Sequence, residues 1–219
     1  MKTTSKIFAT LVILLVAGYS YGQTFDKLAD TPHDFSAQTW TTEVCNVCHT
    51  PHNSIVSTDA PLWNHALTEQ TFTLYVGTSM DATLNQPSGI SKLCLSCHDG
   101  SVALDDFGGG GTPTALAGGE PLISTGLVGT DLSNDHPISF IYNNTLASTD
   151  GELHEVSGGT APTTALGGTI ENDLLFGATV GSKTVECASC HDVHGGVTGT
   201  KLLVMSNTNS QLCMTCHNK

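Results

Sequence analysis

The first apolar stretch in the chain is a near-continuous run from Ile7 to Ala17, preceded by Lys2 and Lys6 and followed by Gly18, Tyr19, Ser20, Tyr21 and Gly22. A basic start, about eleven apolar residues and small residues at Ser20 and Gly22 predict a secretory signal over residues 1–22, cleaved after Gly22. The run is shorter than the roughly 20 residues that a spanning helix needs. No cysteine follows it before Cys45, which removes a lipid anchor from consideration. Further on, periodicity is weak. It predicts a short helix over Leu67–Val76, another over Leu93–Leu104, and β pieces at Pro137–Tyr142 and around Thr179–Val185. A glycine-rich tract opens at Gly108–Gly111 and continues through Gly118, Gly119, Gly158, Gly159, Gly167 and Gly168, so long connections are expected over residues 108–184. The pattern thus divides the mature chain into an N-terminal module at 23–107, a connecting region at 108–184 and a C-terminal module at 185–219.

Composition sharpens this picture. Of 219 residues only 39% are hydrophobic and 6% aromatic, and 23 are glycine. A large side-chain core is therefore not expected. Charged residues are only 12%, too few for a chain kept unfolded by like charge. There is no arginine, and two of the seven lysines lie in the leader, which leaves five against 20 acidic residues, a mature balance of −15. Nucleic acid and anionic membrane surfaces are poor partners for such a chain, because both need clustered positive charge. After signal cleavage, nothing remains to insert in a membrane. Phosphate loops are absent as well: the glycine runs contain neither Gly-Lys-Ser/Thr nor a GxGxxG between a strand and a helix.

The eight cysteines fall into four pairs with two residues between them, each followed at once by histidine: Cys45, Cys48 and His49; Cys94, Cys97 and His98; Cys187, Cys190 and His191; Cys213, Cys216 and His217. A disulfide framework, a redox dithiol or half a zinc site would each account for paired cysteines, but none requires the histidine. Histidine after all four pairs by accident has odds of about one in 10⁵. CXXCH is the attachment sequence of c-type haem. The two thiols, one helical turn apart, form thioethers with the vinyl groups of one haem, and the adjacent imidazole binds the iron. Four covalently attached haem c groups on about 197 residues would supply the apolar mass that the side chains lack. The expected fold is therefore mostly irregular chain with short α-helices around haems, a few short β pieces and a haem-dominated core. On this reading the outer modules each carry two haems, and the last, with barely 35 residues, cannot fold alone.

Histidines decide whether the irons are open. An iron with one protein ligand can bind small molecules, whereas one with two only exchanges electrons. Ten histidines less the four proximal ones leave His33, His52, His65, His136, His154 and His194. His52 and His194 each sit three residues after a motif histidine and share its side of a helical turn. The motif histidine already serves its own iron, so the second must reach a neighbouring haem. Motif one with two, and three with four, are the natural partners. His136 precedes Pro137, which fixes the backbone beside it, and His33 follows Pro32 in a similar setting. These four are the distal candidates. His33, near the mature N-terminus, could also serve a neighbouring subunit. His65 and His154 are weaker candidates, better read as solvated or hydrogen-bonded imidazoles. Methionine would raise the potential, but with six histidines to spare Met80, Met205 and Met214 are read as filling gaps against haem.

The set PHDF, CNVCHTPHN, LWNH, SKLCLSCHDG, SNDHPISF, VECASCHDVHGG and LCMTCHNK resembles the bacterial multihaem c-type cytochromes with paired CXXCH motifs, over residues 31–107, 133–142 and 184–219. The resemblance implies an exported electron carrier, and some four-haem relatives polymerise into extracellular filaments with a continuous chain of haems. It also implies that His52 and His194 serve partner haems, that His136 is the histidine-proline ligand and that His33 is the early distal ligand.

The expected function is electron transport between redox partner proteins or extracellular acceptors, in the periplasm or outside the cell, by hopping between closed, low-spin haems. No catalytic residue is assigned. The competing classes are a multihaem reductase with one open iron, of the nitrite or hydroxylamine type, and an electron-feeding subunit of a larger membrane complex. The variant motif of one such reductase family, with lysine in place of the histidine, does not occur.

Overall fold

The computed structural model describes residues 28–29, 31–57, 59–108, 126–197 and 199–219. The expected signal at 1–22 and most of the first glycine run lie outside them. Regular elements are few and short: α1 (Gly89–His98), β1 (Phe140–Ile141), α2 (Asn144–Asp150), α3 (Ile170–Asp173), β2 (Thr184–Val185), two single 3₁₀ turns (Cys187–Ser189 and Thr208–Ser210) and α4 (Gln211–Cys216). No described helix is long and apolar enough to cross a membrane.

The two β pieces form where the pattern placed them, β1 antiparallel to β2 with Phe140 opposite Val185. The helix expected over Leu67–Val76 does not form. That segment is extended: Thr73 N–H bonds Thr130 O at 2.9 Å, Leu132 N–H bonds Thr73 O at 2.8 Å, and the Gln86 side chain completes both backbone bonds of Phe72. Extension turns Phe72 onto Leu95 and Leu132 in a small core; β-branched Thr68, Thr71 and Thr73 suit it better than a helix. The helix of the second motif lies earlier than expected, at Gly89–His98 instead of Leu93–Leu104. It stops because Gly100 takes φ 77°, the left-handed conformation that closes a helix, with its N–H on Cys97 O.

The connecting region is more structured than its glycines suggest. Asn143 caps α2 through Leu146 N–H, Thr169 caps α3 through Asn172 N–H, and Gly151 ends α2 at φ 76°. Around these caps Tyr142, Ala147, Val156, Ile170, Leu175 and Val185 make one apolar cluster. A third cluster joins Leu174, Met205 and Leu212 beneath the last motif, so Met205 packs among aliphatic side chains.

Glu186, only 2% exposed, ties these parts together. Its carboxylate accepts from Ser91 N–H at 3.2 Å on α1, from Ser139 Oγ at 3.1 Å before β1, and from Thr184 Oγ1 at 2.6 Å on β2. Cys187 N–H bonds Ser91 Oγ at 3.0 Å alongside. The second and third motifs are thereby held together across nearly a hundred residues of chain. Replacement of Glu186 by Ala would strand these buried donors; unfolding of the loaded protein in denaturant should show a loss of about 3 kcal/mol. The exposed Lys219–Glu152 pair at 2.5 Å is screened by solvent, and Glu152→Ala should leave the denaturant midpoint almost unchanged.

Candidate haem-binding site

In three motifs a tight turn or helix end brings the histidine N–H back to the first cysteine: His49 to Cys45 O at 2.9 Å, His191 to Cys187 O at 3.0 Å, and His217 to Cys213 O at 3.0 Å, while the second motif lies within α1. Both cysteines and the imidazole therefore leave one helical turn together. Three proximal rings are oriented through Nδ1, which contacts Pro61 O at 2.8 Å from His49, Gly126 O at 2.6 Å from His98 and Lys201 O at 2.8 Å from His191. With Nδ1 carrying the proton to a carbonyl, Nε2 keeps its lone pair for a metal.

Three of the four proximal rings have a distal candidate in front of them. His33 stands 5.8 Å from His98, His194 stands 6.0 Å from His49, and His136 stands 6.3 Å from His217, between ring centroids. Two imidazoles on opposite faces of one metal, each with a metal–nitrogen bond of ~2 Å and its ring centre ~1 Å beyond, have centroids about 6 Å apart. The fourth proximal ring, His191, and the remaining candidate, His52, are both exposed and stack on no other ring among the described residues. His194 differs from expectation: it faces the first motif, not the fourth. Proximity in sequence does not decide this pairing, because the third motif folds back onto the first.

The two weaker candidates occupy other settings. His65 is wholly buried, Nδ1 lies 2.8 Å from Ala66 O and Nε2 3.0 Å from Ala103 O, and its ring rests on the Cys97 sulfur. His154 belongs to the segment that grips the fourth motif: its N–H bonds Cys216 O at 2.8 Å and its carbonyl accepts the Tyr142 hydroxyl at 2.6 Å.

Electrostatics suit neutral ligands and protonated thiols. Burial, with smaller contributions from His98, His191 and His194, pushes the His33 imidazole down to about 4, and burial followed by His136 lowers His217. A neutral imidazole is the form that ligates a metal. Burial raises the Cys48 thiol to about 11 and the Cys216 thiol to about 12, and it also raises Cys97 and Cys190. None of the eight cysteines is paired in a disulfide. A zinc site or reactive dithiol would be built to favour thiolates; the surroundings of Cys48, Cys97, Cys190 and Cys216 oppose them, whereas the hydrogen bond from Cys94 lowers Cys187. The thiols also form a succession: Cys97 and Cys94 feel Cys48, Cys94 donates to the Cys187 sulfur, and Cys190 lies beside Cys213 and Cys216. Neighbouring motifs are thus adjacent in space, although His194 of the third motif faces the first.

The chain fits haem in a further respect. Trp40 Nε1, Trp63 Nε1 and His33 Nδ1 are buried without a protein partner. Such atoms cost about 1–3 kcal/mol each when unsatisfied, and they lie around the first two motifs, Trp63 edge-on to His49 at 6.3 Å. The carboxylates of a bound haem are acceptors of the kind they lack.

The family model for the doubled CXXCH motif matches residues 180–219, which hold the third and fourth motifs. The match supports a multihaem c-type cytochrome that binds haem c covalently through CXXCH and transfers electrons. A search of curated proteins finds none that matches the chain.

His33→Ala and His136→Ala should each convert one haem to the high-spin state, and the double variant should convert two, because the rings face different proximal histidines. Electron paramagnetic resonance of the ferric protein measures this directly. Equal high-spin content in the single and double variants would contradict separate sites.

Proposed function

We propose that this chain is an exported tetrahaem electron carrier, working in the periplasm or outside the cell, in which each iron is closed by two histidines. The observation that carries the reading is the recurrence of the proximal-to-distal spacing near 6 Å at three motifs whose sequence positions are unrelated. When bound, haem supplies a one-electron iron couple; the protein residues fix its surroundings. Cys45, Cys48, Cys94, Cys97, Cys187, Cys190, Cys213 and Cys216 attach the groups, and His49, His98, His191 and His217 bind from one side. His33, His136, His194 and His52 bind from the other.

Two imidazoles leave no coordination position for nitrite, hydroxylamine or carbon monoxide, which separates a carrier from a reductase. They also favour lower potentials than a histidine–methionine pair, and the 20 acidic residues against five mature lysines stabilise the ferric state further. The net negative charge directs the carrier toward cationic or neutral partners. Redox partner proteins and extracellular acceptors are the partner classes, and assembly of copies into a filament is the form that the resemblance implies.

Produced with a signal and cytochrome maturation machinery, the protein should carry four haems by intact mass and show a wholly low-spin spectrum. The reduced sample should ignore carbon monoxide and leave nitrite and hydroxylamine unreduced, while exchanging electrons rapidly with small redox mediators. Uptake of carbon monoxide by the reduced native protein would refute closed irons. His33→Met should raise the potential of one haem in a redox titration and leave its spin state low.

A further inference from the structure

The first and third motifs are two copies of one structural unit. In the first, Thr50 N–H bonds Leu62 O, Ile55 N–H bonds Trp63 O, and Asn64 N–H bonds Cys48 O, at 2.9, 2.7 and 3.0 Å. In the third, Asp192 N–H bonds Leu202 O, Val197 N–H bonds Leu203 O, and Val204 N–H bonds Cys190 O, at 2.7, 2.8 and 3.0 Å. The bridges match too, His49 opposite Trp63 and His191 opposite Leu203. So do the carbonyls that orient the proximal rings, Pro61 and Lys201, one residue before the equivalent leucines. Leu62 and Leu202 both take φ 56°, a conformation that leucine rarely adopts and that costs about 1–2 kcal/mol each. Two independent loops would not share it by accident. The polar residue after each proximal histidine, Thr50 or Asp192, accepts from the N–H of the second histidine, His52 or His194. Motifs two and four lie on helices α1 and α4 instead and have no second histidine.

The two units face each other with His194 stacked on His49, ring planes 27° apart. An operation that exchanges the units carries His49 onto His191 and His194 onto His52, so the equivalent pairing in the other unit would be His52 with His191, two exposed rings that do not stack on each other here. The remaining histidines are engaged elsewhere: His33 with His98, His136 with His217, His65 between two carbonyls and His154 in the clamp on the fourth motif. We infer that the first and third motifs exchange distal ligands, His194 closing the iron of the first and His52 that of the third, so that the two haems are locked as a reciprocal pair. The loop from His52 to Leu62 is two residues longer than that from His194 to Leu202, so the copies differ in the segment that would carry His52 toward the third motif. The inference rests on the proposed haem ligation and adds to it which motif each histidine serves.

The test pairs ligand variants with loss of a chosen haem. In the four-haem protein, His52→Ala and His194→Ala should each give one high-spin iron by electron paramagnetic resonance. In a background with Cys187→Ala and Cys190→Ala, which removes the third motif's haem, His52→Ala should add no high-spin iron. With Cys45→Ala and Cys48→Ala, His194→Ala should add none. High-spin iron that still appears in the matched background, or a His52→Ala parent that stays low-spin, overturns the exchange. Should the haem-deficient backgrounds fail to fold, the native protein decides. Dilution to monomers, checked by sedimentation, should leave every iron low-spin, and a high-spin iron appearing on dilution would assign the fourth ligand to a second copy and overturn the proposal. Carbon monoxide uptake by the undiluted native protein would instead count against the carrier reading, and a chain that takes up no haem would overturn both.

Discussion

The spacing between facing imidazoles is the constraint to which the rest of this structure answers. A pair of rings with centroids near 6 Å leaves no room for an independent solvent layer and suits one metal between them. Holding that distance requires rigid backbone on both sides. This is why proximal rings are anchored by carbonyls through Nδ1, why His136 and His33 sit beside prolines, and why the fourth motif is gripped by Leu153, His154 and Tyr142.

The short elements follow from the same constraint. Helices of four to ten residues would be marginal alone, and the three small apolar clusters bury few side chains. What joins distant parts of the chain is polar: Glu186 gathers donors from α1, the segment before β1, and β2, and Gln86 acts as a strand for Phe72. Under the proposed function, covalently held haem provides the remaining apolar interior, and the reciprocal lock between motifs one and three makes the two ends of the chain one folding unit.

Much of the site was legible because its chemistry is local. Cysteine spacing, the following histidine and the histidine three residues on are all fixed within eight residues, and Pro137 marks His136. The β pieces were legible because their flanking apolar residues, Phe140 and Val185, meet in one core. Other features depend on long-range contact. Residues 67–76 carry apolar positions compatible with a helix, yet their backbone partners lie at Thr130 and in the Gln86 side chain, which no local pattern reveals. The pairing of His194 with His49 likewise depends on how the third motif folds back. One local signal bears on it: only the first and third motifs have the second histidine, each followed about ten residues later by a leucine.

An experimental structure of the haem-loaded protein, with iron positions fixed by anomalous scattering, decides how each metal is held. Four irons are expected, each between two imidazole nitrogens of the histidines named above, with the first and third motifs sharing their distal ligands. An iron with only one protein nitrogen, or cysteine pairs found as disulfides or around zinc, would contradict that arrangement.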